Sequence, residues 1–183
     1  VDNHSVKNRK GQVLETLVGK ADGSTVTVDS GTYTMPISTI ALGTIIGATY
    51  IKETASEITY KAPAGTERII FRFVGIYSYR DIAGMIEGKF YVDDVEFPGA
   101  GTLGHFRHRG GEGPIGRIPF PEMIIKSSEY DLSVPHKYYW NIKGLGSSHE
   151  LYYGFELNNN TAYDEDTQEI KITAIGDAAI QNA

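Results

Sequence analysis

Two histidines stand three apart, His105 and His108, in the run GHFRHRGGEG, with Arg107 and Arg109 beside them. On a helix that spacing could bring two imidazoles to one metal ion. Here it falls among glycines, and the flanking guanidinium groups repel a cation, so no metal centre is expected. Those four side chains could instead offer a basic surface to an acidic or glycan partner. The plain alternative is a mobile basic loop without a ligand. A second cluster, Asp164-Glu165-Asp166 after Asn158-Asn159-Asn160, has oxygen ligands of the kind calcium takes. It lacks the glycine and distal glutamate of a calcium loop and reads as a solvated segment. The third group is aromatic: Tyr138, Tyr139, Trp140, Tyr152 and Tyr153. Successive strand residues face opposite ways, so one tyrosine of each adjacent pair must turn away from a core. Tyr139 and Tyr152 are the candidates for such a contact surface, toward a sugar or another protein. Any two of the 23 acidic residues could meet as a glycosidase pair, but no spacing selects one. No phosphate loop, dinucleotide fingerprint or nucleophile elbow occurs. The reading is a protein that is not an enzyme and needs no cofactor or metal.

The elements that would position these groups centre on Glu57 to Phe97. There Ile69, Phe71, Phe73, Tyr77 and Tyr79 recur at period two, with Arg68, Arg72 and Arg80 between them. That alternation predicts a long strand with one face in a core. Gly88, Phe90 and Val92 repeat it, and Asp93-Asp94 reads as a hairpin turn before Val95 and Phe97. Upstream, Val13, Leu14, Leu17 and Val18 fall at i, i+1, i+4 and i+5 and predict one short amphipathic helix. Thr25–Val28 and Thr32–Met35 read as a hairpin around Asp29-Ser30-Gly31. Ile37 to Ile51, rich in small residues and poor in charge, reads as one or two strands in the core or at a subunit interface. Residues 98–116 are so rich in glycine that they read as a long loop outside the sheets. Pro119 and Pro121 confine the stretch up to Ile125 to a sheet edge. Tyr138–Ile142, Glu150–Leu157 and Gln168–Ile175 complete roughly eight to ten strands. The expectation is an all-β antiparallel two-sheet sandwich of jelly-roll type, with at most one or two short helices. Residues 1–10 read as a flexible arm, 11–176 as one domain and 177–183 as a loose tail.

Composition sets further bounds. The chain has 183 residues, no cysteine and a net charge of −6. Disulfides and thiol chemistry are excluded, nucleic acid is disfavoured as a partner, and no apolar run reaches the length of a membrane span.

Four pieces, GQVLETLVGKADGSTVTVDSGTYT, ITYKAPAGTERIIFRF, SYRDIAGMIEGKFYVDDVEF and IKITAIG, occur in that order. Together they resemble a family of poorly characterised virion-associated proteins of large algal DNA viruses and marine phages. The resemblance implies a structural protein of the virion, in a capsid, vertex, fibre or tail-tip setting, and host attachment is the further role such a setting would allow. With the charge-free stretch Ile37 to Ala48 and tyrosines on both sheet faces, it leads to the expectation of contacts with its own copies, most simply as a homotrimer, and with other virion proteins, a host surface glycan being the further partner expected of the basic and tyrosine surface residues. The chain departs from the family at Ile82–Met85 and in the Pro98–Gly116 segment. The competing expectation is a carbohydrate-binding β-sandwich module.

Overall fold

The computed structural model describes residues 11–40, 45–79, 83–98, 102–107, 116–144, 151–153 and 168–176. The alternation around Phe71 is one strand of 14 residues, β6 (Thr66–Tyr79). Its inward side chains Ile69, Phe71, Phe73 and Tyr77 are at most 1 % exposed, while Arg72 between them is open to solvent. Before it come β1 (Val13–Lys20), β2 (Thr25–Val28), β3 (Gly31–Thr34), β4 (Ile45–Ile46) and β5 (Ile51–Tyr60). After it come β7 (Ala83–Val92), β8 (Val95–Glu96), β9 (Thr102–Arg107), β10 (Gly116–Pro119) and β11 (Met123–Lys126). The last are β12 (His136–Gly144), β13 (Leu151–Tyr153) and β14 (Glu169–Gly176). No helix occurs among the described residues.

Strand order defines the fold. All pairings are antiparallel: β1 with β14, β5 with β12, β6 with both β10 and β11, and β7 with both β8 and β9. The chain is therefore a ribbon doubled back on itself. Winding that ribbon sets β14 beside β6 and β12 beside β7. The result is one sheet ordered β1-β14-β6-β10/β11 and a second ordered β5-β12-β7-β8/β9. With each tandem pair counted as one strand, the sheets read 1-8-3-6 and 2-7-4-5, which is a jelly roll of two Greek keys. Two tandem pairs, two short strands (β4 and β13) and a separate β2-β3 hairpin raise the number of strands to 14, above the eight to ten read from sequence.

Aromatic rings join the sheets. Phe71 of one sheet meets Phe90 of the other at 5.1 Å, and Phe120, between β10 and β11, meets Trp140 of the second sheet at 5.3 Å. Phe71, Phe73, Phe90 and Trp140 are buried as their register requires. Phe155, in the stretch Glu150–Leu157 read as a strand, lies outside the described residues, as do the arm 1–10 and the tail 177–183.

Two readings are corrected. The Val13–Val18 segment is strand β1, not a helix: Glu15, Leu17 and Gly19 turn inward while Val13 and Val18 are exposed. A buried glutamate broke the apolar alternation and left a helical spacing in its place. The first part of the glycine-rich segment is strand β9, paired with β7, and not a loop outside the sheets. The ladder of its neighbour supplies the regularity that its own glycines do not signal.

Two further positions test this packing. Phe73→Ala should cost about 3–5 kcal/mol in chemical denaturation, because the ring is fully enclosed against Phe120. A Cβ on Gly144 would lie 2.3 Å from the Ile46 carbonyl oxygen, whereas one on Gly47 meets open space. Gly144→Ala should destabilise by about 1–3 kcal/mol and Gly47→Ala by no more than about 0.5 kcal/mol.

Candidate functional site

The outer face of the smaller sheet carries the aromatic residues singled out from sequence. Tyr139 does turn away from the core, but the residue is only 4 % exposed. It stacks on Tyr91 at 5.1 Å with the planes 5° apart, and Lys52 Nζ sits 4.1 Å from its ring centroid. Its hydroxyl donates to Asp94 at 2.9 Å, and burial with that carboxylate pushes its pKa up to about 12. Tyr50 is held the same way between Lys143 and Lys89, donating to Glu87. The lysines are themselves paired: Lys52 with Glu57, Lys89 with Glu96, Lys137 with Asp94 and Lys143 with Glu87. This face thus satisfies its own charges and covers its tyrosines with lysine stems.

At one end of the sandwich a tighter device occurs. Val92 pairs with Val95, so Asp93 and Asp94 form the two-residue turn expected, both at positive φ (51° and 67°). That conformation suits Asp and a primed hairpin turn. The Asp93 carboxylate accepts from the Lys137 backbone N–H at 2.8 Å and meets His136 Nδ1 at 2.6 Å. His136 Nε2 lies 2.9 Å from the Asp131 carbonyl oxygen, which can only accept. Both ring nitrogens therefore serve best as donors, which is the imidazolium form. Burial lowers the pKa of His136, but its bonds to Asp93 and to the Asp131 carbonyl outweigh this and raise it above 6.5. Burial likewise opposes ionisation of Asp93, but Lys137 and His136 hold its carboxyl below the ordinary 3.8.

Next to this clasp lies an open cleft of about 620 Å³ lined by Phe97, Pro98, Ile124, Lys126, Glu129 and Tyr130. Phe97 follows β8 and Ile124 lies in β11, the outermost strands of the two sheets on that side. Tyr130 connects cleft and clasp, its ring 6.2 Å from Phe97 and 5.8 Å from His136.

Among the other candidates from sequence, His105 and Arg107 take their places in β9 opposite Met85 and Ala83. Tyr152 lies in β13 opposite Ile45 and Ser78. His108, Arg109 and the Asp164–Asp166 run lie outside the described residues. The structure does not bring Tyr139 next to the cleft residues that line it. His136 and the cleft residues carried no motif; the doubled Asp93-Asp94, whose carboxylates both reach β12, was their one sequence signal.

The fold and site together define an antiparallel jelly-roll sandwich with a closed, charge-paired sheet face and an open cleft at one edge. No family model and no curated protein matches the sequence. Among solved structures, that of the infectious bursal disease virus Gx strain is similar at 10 % identity and a TM-score of 0.40, over 87 % of this chain and 32 % of that one. The chain thus spans about a third of the length of that viral chain, and the fold assignment rests on the strand order above.

The clasp predicts a pH dependence. A raised histidine pKa stabilises the fold fully below the unfolded value of 6.5, and this contribution is lost as pH rises through the folded value. Urea midpoints followed from about pH 5 to about pH 9 should fall across that window in the wild type. In His136→Gln that part of the fall should be absent.

Proposed function

We propose that this chain is a structural protein of a virus particle that works as a homo-oligomer, a trimer in its simplest form, among other virion proteins. The observation that carries this reading is the jelly-roll strand order, an architecture recurrent in capsid domains. The resemblance of four sequence segments to virion-associated proteins agrees with it. So does the presence of large apolar side chains left open on the single chain, such as Ile37 and Val95, both 63 % exposed, which a second copy would cover. The paired face of the smaller sheet is the less apt interface, because docking there would desolvate several satisfied ion pairs. Contacts then fall to edges and loops, and a role in host attachment, with a surface glycan as target, would use the same regions.

A fold hosts many functions, so the test must read assembly itself. Light scattering and sedimentation at micromolar concentration should give a closed oligomer, a trimer first, with a melting temperature that rises with protein concentration. A monomer with concentration-independent melting would remove the oligomer.

A further inference from the structure

The cleft between the ends of β8 and β11 differs from the neighbouring face of the smaller sheet in how its polar groups are left. Lys126, Glu129 and Tyr130 all line it, yet none has a hydrogen-bond or ion-pair partner for its side chain among the described residues. On the neighbouring sheet face Lys52, Lys89, Lys137 and Lys143 are each paired. The two opposite charges of the cleft do not even pair with each other. Behind them the wall is apolar: Phe97, Pro98, the Tyr130 ring and Ile124, which is 45 % exposed. A volume of about 620 Å³ lies in the range of small-molecule sites, which are largely apolar with a few placed polar groups.

These features narrow the chemistry of the ligand. Lys126 can only donate, Glu129 when ionised can only accept, and the tyrosine hydroxyl can do both. A hydroxyl group, donor and acceptor at once, satisfies all three. A ligand of net negative charge would be repelled by Glu129, and one of net positive charge by Lys126. The apolar wall calls for a second, hydrocarbon face on the same molecule. A pyranose ring has both, with C–H bonds on its face and hydroxyls at its rim.

We propose that this cleft binds a neutral saccharide, a hexopyranose unit or a short chain of them. Binding does not depend on assembly: a virion subunit and a free-standing module could carry the site equally. The wall is formed in advance. Tyr130 is held between Phe97 and His136, and His136 is fixed by Asp93 and the Asp131 carbonyl. Burial, with Glu129 and Asp93 nearby, raises the pKa of the Tyr130 hydroxyl, so it stays protonated and able to donate.

The test is an amide-shift titration of the full chain by NMR. The probes are glucose, galactose, mannose, N-acetylglucosamine and their disaccharides, with free glycine and alanine as zwitterionic competitors. At least one saccharide should shift the amides of Phe97, Ile124 and Tyr130. Glu129→Gln and Lys126→Met should each raise its Kd about tenfold, the loss of one hydrogen bond to a charged group. Both residues are exposed, so these variants should keep the wild-type spectrum away from the cleft. Tyr130→Phe, which removes one oxygen, gives a third reading. No shift with any of the saccharides would overturn the proposal. So would shifts confined to the Tyr139 face, affinities indifferent to all three variants, or binding of the free amino acids in place of sugars.

Discussion

A strand of 14 residues buried between neighbours must have ladder partners along both edges, because an unpaired buried N–H or C=O costs as much as a lost hydrogen bond. No single neighbour of β6 is long enough. On one edge β14 covers it up to Val74 and β13 takes over at Tyr77; on the other β11 covers Arg68 to Phe71 and β10 covers Val74 to Tyr77. The second sheet repeats the solution, with β9 and β8 sharing the edge of β7. Two of these breaks are then filled by an aromatic residue. Between β10 and β11, Phe120 donates its N–H to the Phe73 carbonyl at 2.9 Å and lays its ring against Phe73 and Trp140. After β8, Phe97 donates to the Phe90 carbonyl at 2.7 Å and packs edge-on against the Phe90 ring. Two of the ladder's discontinuities are thus where the core gains rings from outside the sheets, and Phe97 is also where the cleft begins.

Buried polar groups fix what apolar packing leaves free. Glu15 accepts from the Ser30 N–H, the Ser30 hydroxyl and the Tyr60 hydroxyl at 2.6–2.7 Å, and so ties the β2-β3 hairpin to β1 and β5. Glu53, fully buried, accepts from Tyr77 across the sheets. Beside it β5 bulges away from β12 between Glu53 and Ile58. There Ser56 replaces the missing ladder partner, accepting from the Trp140 N–H at 2.9 Å and donating to the Glu53 carbonyl at 2.6 Å. Burial of such groups is tolerable only because each is bonded. In return they specify one register where a purely apolar strand could slip.

The same facts explain what could be read from the chain alone. The β6 and β7 alternation, the Asp93-Asp94 turn, the Thr25–Thr34 hairpin and the proline-limited edge are local patterns, and local patterns survive in sequence. β1 was misread because its inward Glu15 is apolar in neither type nor hydropathy, although its three bonds make it a core residue. β9 was missed because its order comes from β7 and not from itself. Tyr139 was correctly turned outward, but the lysines that cover it come from β5 and β12, and Tyr91 from β7. The cleft joins Phe97 to Ile124 and Tyr130, residues with no common motif, through a turn and an edge that only the winding of the jelly roll brings together.

The clasp and the cleft are mechanically one unit. The loop from Lys126 to Asp131 begins with a turn in which the Glu129 and Tyr130 N–H groups both reach the Lys126 carbonyl, at 3.0 and 3.1 Å. It ends where the Asp131 side chain accepts from the Ser133 N–H and hydroxyl, and the Asp131 carbonyl accepts from His136. The Ser127 N–H ties the same loop to the Glu67 carbonyl at 2.7 Å. Three unrelated anchors thus fix a segment that exposes most of its side chains, and one of them runs through His136. A surface loop without a binding role has little need of such restraint, since loops carry their own entropy at small cost. Restraint does favour recognition, because side chains already in place lose less freedom when a ligand arrives. The Asp93–His136 pair therefore stabilises the sandwich and, through Tyr130, sets the shape of the cleft wall.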